Sequence, residues 1–144
     1  MIGMTLYIFL IMSGFIIGLG AVTVIDIHGF FGRRSSYWTE ATIRTHKITK
    51  PLIWIGMILA TIGMMGLYWN SAWLLSQMIL CGLLIVNGCF LSGVVSPQLC
   101  ARERDGRAAE LLPRRLQTQI TISFVISFLG WWTSVVAFCL YIVG

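Results

Sequence analysis

The chain has 144 residues, of which 58% are hydrophobic and only 10% are charged. Soluble domains are typically about half apolar and about a quarter charged, so this composition excludes a soluble globular domain, a disordered chain and a disulfide-rich secreted module. The formal net charge of +5 does not indicate a nucleic-acid-binding protein, because the basic residues are divided between two short segments that also contain acids.

The positions of the charged residues divide the chain into apolar and polar segments. All ten Lys and Arg residues and all five Asp and Glu residues lie within positions 26–50 and 102–115. A helix that crosses a bilayer needs about 20 mostly apolar residues. The uncharged segments have room for one such helix at each end of the chain and for two in the middle, which the polar turn at 70–72 separates. The four predicted helices lie at about 4–27, 51–69, 73–96 and 118–143.

The fold class that follows is an all-α, polytopic integral membrane protein. We expect a compact bundle of four transmembrane helices with short connections, forming a single domain over residues 1–144. The first helix is expected to be retained and not removed as a signal peptide. No basic residue precedes it, and its apolar segment is about twice as long as the apolar region of a signal peptide.

Two basic connections are predicted at 28–50 and 97–117, and each carries five Lys or Arg residues. Basic residues are enriched in the cytoplasmic loops of membrane proteins. Both connections are therefore placed in the cytoplasm beneath a bacterial inner membrane, with both termini outside. The first connection is expected to contain a short interfacial helix at 37–49, which ends in a bend at Pro51.

Small residues recur at helical spacing on every predicted helix. Helices in lipid associate through close packing of small side chains and not through the ordinary hydrophobic effect, so these residues predict the faces on which the helices meet. In chain order they are Gly14, Gly18 and Ala21, then Gly56 and Ala60, then Gly88 and Ser92, and last Gly130 and Ser134. Whether one of these faces also serves self-association is left open.

The chain contains two histidines, His28 and His46. Imidazole is an axial ligand of haem iron, and His28 is expected on the packed face of the first helix near its cytoplasmic end. One hypothesis is therefore a redox protein in which His28, alone or with His46, binds haem b. The alternative is that neither histidine binds a ligand, because His46 is expected to lie too close to the surface for a site with two histidine ligands.

Two further polar residues, Asp26 and Asn87, lie in or near the predicted spans. Ionisable residues within a membrane are candidates for function, so a relay through Asp26 and His28, or a small transporter or channel near Asn87 and Asp26, is another hypothesis. The structural alternative is that Asp26 lies at the interface and that Asn87 hydrogen-bonds a neighbouring helix.

The basic residues of the two connections are expected at the depth of the lipid headgroups. Anionic headgroups attract Lys and Arg side chains, and the alternative is that these residues only fix the topology. The residues predicted to contact lipid are Arg33, Arg34, Lys47, Lys50, Arg114 and Arg115.

No pattern in the sequence indicates catalysis. The chain has no P-loop, dinucleotide-binding, HExxH or Ser-His-Asp pattern, and its four cysteines form no C-x-x-C pair, so no catalytic residue or metal ligand is predicted. The favoured function is a non-catalytic accessory or assembly subunit that docks laterally on a larger membrane complex. Its expected partners are the bilayer and other membrane protein subunits or a second copy of the chain.

Overall fold

The computed structural model describes residues 2–143, which form a bundle of long helices. Within these residues the chain is 88% helical and contains no strand. In chain order the elements are α1 (Ile2–Phe31), α2 (Ser36–Leu67), α3 (Ala72–Phe90), a π-helical turn (Leu91–Val95), α4 (Ser96–Arg104) and α5 (Arg114–Val143).

Four helical segments of the described chain are long and apolar enough to cross a membrane. They are α1, α2, the continuous segment Ala72–Arg104 and α5. The prediction of an all-α membrane protein with four transmembrane helices is therefore confirmed, and the chain is a small multi-pass membrane protein.

The first connection differs from the one predicted at 28–50. Only residues 32–35 separate α1 from α2. The segment expected to form a separate interfacial helix is instead the N-terminal part of α2. The helix continues without interruption through Pro51, where the sequence predicted a bend.

Tertiary packing explains why α2 begins so early. Thr39 is fully buried, and its hydroxyl donates to the Gly32 carbonyl at 2.7 Å. Ile43 is 1% exposed and belongs to an apolar cluster with residues of the π-helical turn, α4 and α5. These contacts stabilise the helix before Pro51, and prolines are tolerated within membrane helices where the surroundings compensate for the lost hydrogen bond.

The second connection is also shorter than the one predicted at 97–117. The helical segment that begins with α3 continues to Arg104, and α5 begins at Arg114, so the non-helical loop spans residues 105–113. Gly106 has a φ of 71°, which glycine adopts without steric strain. The tight turn that follows α4 therefore depends on this glycine.

Helices α1 and α2 pack so closely that their backbones are in contact. A Cβ atom added to Gly14 would lie 2.5 Å from the Ala60 amide nitrogen and 2.6 Å from the Gly56 carbonyl oxygen. One added to Gly56 would meet the backbone of Gly18 and lie 2.7 Å from the Gly14 carbonyl oxygen. The small residues of the two helices therefore form one interface, as is typical of helices that associate in lipid.

The small residues of α3 and α5 receive large side chains from neighbouring helices. A Cβ atom added to Gly88 would lie 3.3 Å from the indole ring of Trp54, and one added to Gly130 would lie 2.7 Å from Cδ2 of Leu84. Trp54 belongs to α2, and Leu84 belongs to α3. These contacts join α2 to α3 and α3 to α5.

Candidate functional site

A small cavity lies at the end of the bundle that carries the basic connections, and we call it the basal cavity. It has a volume of about 80 Å³ and is bounded by all the spanning helices together with the π-helical turn. Three ionisable side chains line it: Asp26 of α1, and His46 and Lys50 of α2. Ionisable residues are rare at membrane depth and are functional candidates there, so this convergence makes the basal cavity the candidate site.

Two polar atoms at the basal cavity have no partner in the described chain. The Asp26 Oδ2 and the His46 Nε2 are both buried, and neither forms a hydrogen bond with another residue of the 2–143 segment. The hydroxyls of Thr42 and Thr49 also border the cavity. Each donates to a backbone carbonyl one turn earlier in α2, at 2.7 and 3.1 Å respectively, so each retains oxygen lone pairs that can accept a hydrogen bond.

The π-helical turn forms one wall of the basal cavity through Leu91, Ser92 and Val95. A π turn accommodates an additional residue within an α-helix, and such turns occur frequently at functional sites. The serine predicted to serve helix packing, Ser92, thus lies at the cavity. The wall combines its hydroxyl with apolar side chains.

The structure does not bring the two histidines to one site. His28 is not among the residues that line the basal cavity, and its ring packs against Trp38 with 5.2 Å between ring centroids. The cavity volume of about 80 Å³ is also smaller than the roughly 150 Å³ that holds benzene in an engineered protein cavity. Haem b ligation by His28 or His46 therefore gains no geometric support and stays a prediction.

The sequence predicts a relay through Asp26 and His28, and it does not show that Asp26 and His46 line the same cavity. Thr42, His46, Thr49 and Ile53 follow one another at intervals of three or four residues, the spacing of one helix face. All four line the basal cavity. The signal was present in the sequence, but it becomes visible only when the segment before Pro51 is treated as part of α2.

Asn87 joins α3 to α5. Its side-chain nitrogen donates to the Ser123 carbonyl at 3.1 Å and to the Ser127 hydroxyl at 2.8 Å, and all three residues are buried. A hydrogen bond between membrane helices stabilises their association by roughly 0.6–2 kcal/mol. The amide of Asn87 therefore fastens two helices together.

Replacing Asn87 with leucine is expected to lower the free energy of unfolding by about 1–2 kcal/mol, because both interhelical hydrogen bonds are lost. Denaturant unfolding of the protein in detergent micelles measures the change. Ser127→Ala is the matched variant, and it should cost less because the bond to the Ser123 carbonyl remains. An Asn87→Leu protein as stable as the natural one would contradict this role.

Gln77 is a buried polar residue at the other end of α3. It is 0% exposed, and neither its Oε1 nor its Nε2 has a hydrogen-bond partner among the described residues. It borders a cavity of about 20 Å³ that Thr61, Cys81 and Ser134 also line. About 10–15 Å³ is sufficient for one water molecule, so this space has the size of a single water.

Some of the basic side chains predicted to contact lipid have protein partners. Arg33 donates to the Thr121 hydroxyl of α5, and Lys47 of α2 forms an ion pair with Glu103 of α4 at 2.7 Å. Lys50 lines the basal cavity. The side chains of this set that are exposed are Arg34, Lys47, Arg114 and Arg115.

A groove on the outside of the bundle lies between α3 and α5, and we call it the lateral groove. It has a volume of about 620 Å³, and its lining is almost entirely apolar. Gly82 lies in this groove, and a Cβ atom added there would have no heavy atom within 4 Å. In the most apolar part of each spanning segment, 17% of the residues are buried in Ala72–Arg104, against 33% in α1 and in α2. The segment that contains α3 is therefore the one least covered by the rest of the chain.

Comparison of the chain with protein families, with curated proteins and with solved structures finds no match.

Proposed function

We propose that this membrane protein is a non-catalytic accessory or assembly subunit that docks laterally on a larger membrane complex through the lateral groove. The observation that supports the proposal is the groove beside α3, the least covered part of the bundle. Its apolar lining suits a transmembrane helix of another protein. Gly82 at its surface permits the close backbone approach by which helices associate in lipid.

The interior of the bundle favours this role over transport. The basal cavity and the space beside Gln77, which lie among all the spanning helices, have volumes of about 80 and 20 Å³, whereas sites for small molecules usually measure about 300–1,000 Å³. A larger space of about 410 Å³ beside Asp26 is lined by α1 and α5 alone, almost entirely by apolar side chains. Asn87, the polar residue expected on a transport pathway, uses its amide nitrogen to bind α5. Transport near Asn87 and Asp26 is therefore the less well supported function.

The proposal includes an orientation in a bacterial inner membrane. Both connections, residues 32–35 and 105–113, lie at the end of the bundle that contains the basal cavity, which we call the basal end. The Lys47–Glu103 ion pair links α2 to α4 there. Because basic loops remain on the cytoplasmic side, we place this end in the cytoplasm. The start of α1 and the end of α5 then face the outside, and the lateral groove lies open to other proteins of the same membrane.

Photo-cross-linking in native membranes tests the docking. A photoreactive amino acid is placed at Val86 in the lateral groove or at Ile16 on α1, two positions that are each 70% exposed. We expect the Val86 probe to form an adduct with one distinct membrane protein and the Ile16 probe to label lipid only. Gly82→Leu, which fills open space in the groove, should abolish the Val86 adduct without unfolding the bundle.

Three outcomes would overturn the proposed docking. One is an equal yield of the protein adduct at Val86 and Ile16, and another is an adduct that persists in the Gly82→Leu variant. The third is purification of the natural protein from mild detergent as a lone species with no co-migrating partner.

A further inference from the structure

The basal cavity is lined by three ionisable side chains that the docking function does not require. We propose that it is a hydrated proton-binding site, in which a small cluster of water molecules joins the carboxylate of Asp26 to the imidazole of His46. The site takes up one proton from water on the side of the basic connections. This property is separate from the proposed docking, because Asp26, His46 and Lys50 do not line the lateral groove.

The basal cavity is lined mostly by apolar side chains, and its volume and few polar groups suit a small cluster of water molecules. Each water molecule occupies roughly 30 Å³ in the liquid, so about 80 Å³ accommodates roughly two or three. A buried water needs two to four polar partners. The Asp26 Oδ2, the His46 Nε2 and the hydroxyls of Thr42, Thr49, Ser92 and Ser123 are available at the cavity.

The three ionisable groups are not paired directly. None of the ion pairs formed within residues 2–143 includes Asp26, His46 or Lys50, although all three line one cavity. Polar groups separated in this way are commonly bridged by ordered water, which is nearly as favourable as a direct hydrogen bond. The unpartnered Asp26 Oδ2 and His46 Nε2 are the two atoms that such a bridge would connect.

Charges of opposite sign line the cavity that His46 also lines. Among the residues that line the cavity, α1 contributes the carboxylate of Asp26 and α2 contributes the ammonium of Lys50, while the π-helical turn, α4 and α5 contribute only hydroxyl and apolar side chains. The proton binds to the Nε2 lone pair of His46. The resulting imidazolium is favoured by Asp26 and opposed by Lys50, and both effects are stronger at low dielectric than in water.

The test measures proton binding at His46 directly, by the ¹⁵N chemical shifts of its ring in protein reconstituted into phosphatidylcholine bilayers over a range of pH. Asp26→Asn is expected to weaken proton binding at His46 about tenfold, and Lys50→Met to strengthen it about tenfold. Lys50→Arg, which keeps the charge, should leave it unchanged. The opposite signs distinguish an electrostatic site from general damage to the fold, which would not depend on the sign of the charge removed.

Two matched controls remove nearby charges that do not line the cavity. Glu40 is an acid of α2 that pairs with Arg44 at 2.6 Å, and Lys47 is a base of α2 that pairs with Glu103 at 2.7 Å. Glu40→Gln and Lys47→Met are expected to change proton binding at His46 by less than about twofold, because neither side chain lines the cavity and both are accessible to solvent, which screens their charges.

Transfer of magnetisation from water to the His46 ring tests the hydration. We expect this transfer in the natural protein and its loss in Ser92→Leu, which fills the cavity. Changes of the same sign in Asp26→Asn and Lys50→Met, or no change in either, would refute the proton site. A His46 ring that receives no magnetisation from water in the natural protein would refute the water cluster.

Discussion

Replacing Gly56 with alanine is expected to destabilise the protein by about 3 kcal/mol, since overpacking a well-packed interface usually costs 1–3 kcal/mol and more where the backbone must move. The added methyl group would meet the backbone of Gly18 and lie 2.7 Å from the Gly14 carbonyl oxygen. A flexible side chain can turn away from a methyl group, but a helix backbone cannot. The helices α1 and α2 must therefore separate along their contact.

Gly20→Ala on α1 is the matched control, because a Cβ atom added to Gly20 has no heavy atom within 4 Å. Alanine there should leave the stability unchanged or raise it slightly, since alanine has the higher helix propensity. Unfolding of both variants in the same detergent measures the difference. If Gly56→Ala proved as stable as Gly20→Ala, the backbone contact between α1 and α2 would be refuted.

The α1–α2 interface shows what can be predicted from the sequence. The spacing of Gly14 and Gly18, and that of Gly56 and Ala60, is visible in the chain because each helix has a fixed period. The sequence does not show which of the small-residue faces pack against each other, or in what register. That information comes from the packing of the two helices, in which the Gly56 carbonyl lies against Gly14.

The predicted start of the second helix was wrong for a related reason. As local signals, Pro51 and the charges before it predict an interface and a bend. In the structure, the same segment is stabilised as helix by the hydrogen bond from the buried Thr39 to Gly32 and by the packing of the buried Ile43 against distant parts of the chain. Tertiary packing outweighs local propensity here, as it does for many marginal helices.

The candidate site was predicted only in part. Asp26 and His46 were both singled out, but a helical wheel relates residues of one helix and cannot show that two helices bring their side chains to one cavity. The π-helical turn that forms the cavity wall has no signal in the sequence that we can name. By contrast, Asn87 was identified from its burial within a span alone, because a buried amide must find a partner.

The conformation of the loop after α4 depends on one buried arginine, and we expect its replacement to have a large effect. Arg102 is 9% exposed and donates to the Glu110 carbonyl at 3.1 Å and to the Leu111 carbonyl at 3.2 Å. Its guanidinium also lies 3.6 Å from the Glu110 carboxylate. The next residue in the loop, Leu112, packs into the apolar cluster that contains Ile43, so Arg102 holds the loop in the position that closes the basal end.

Replacing Arg102 with methionine is expected to destabilise the closed loop by about 2 kcal/mol, since a hydrogen bond to a charged group contributes about 1.5–3 kcal/mol. That energy corresponds to an increase of about thirtyfold in the open population of the loop. Trypsin cleavage after Arg107, followed by mass spectrometry on reconstituted protein, measures this population when opening and closing are fast.

Arg104→Met is the control that separates loop anchoring from the loss of a basic residue. Arg104 belongs to the same last turn of α4 but is exposed, and either substitution removes one trypsin site near Arg107. Cleavage after Arg107 should therefore remain at the natural rate in Arg104→Met and rise only in Arg102→Met. Equal rates of cleavage after Arg107 in the two variants would contradict this role of Arg102. The loop would then be held by Leu112 and its apolar neighbours alone, without a contribution from the two hydrogen bonds of Arg102.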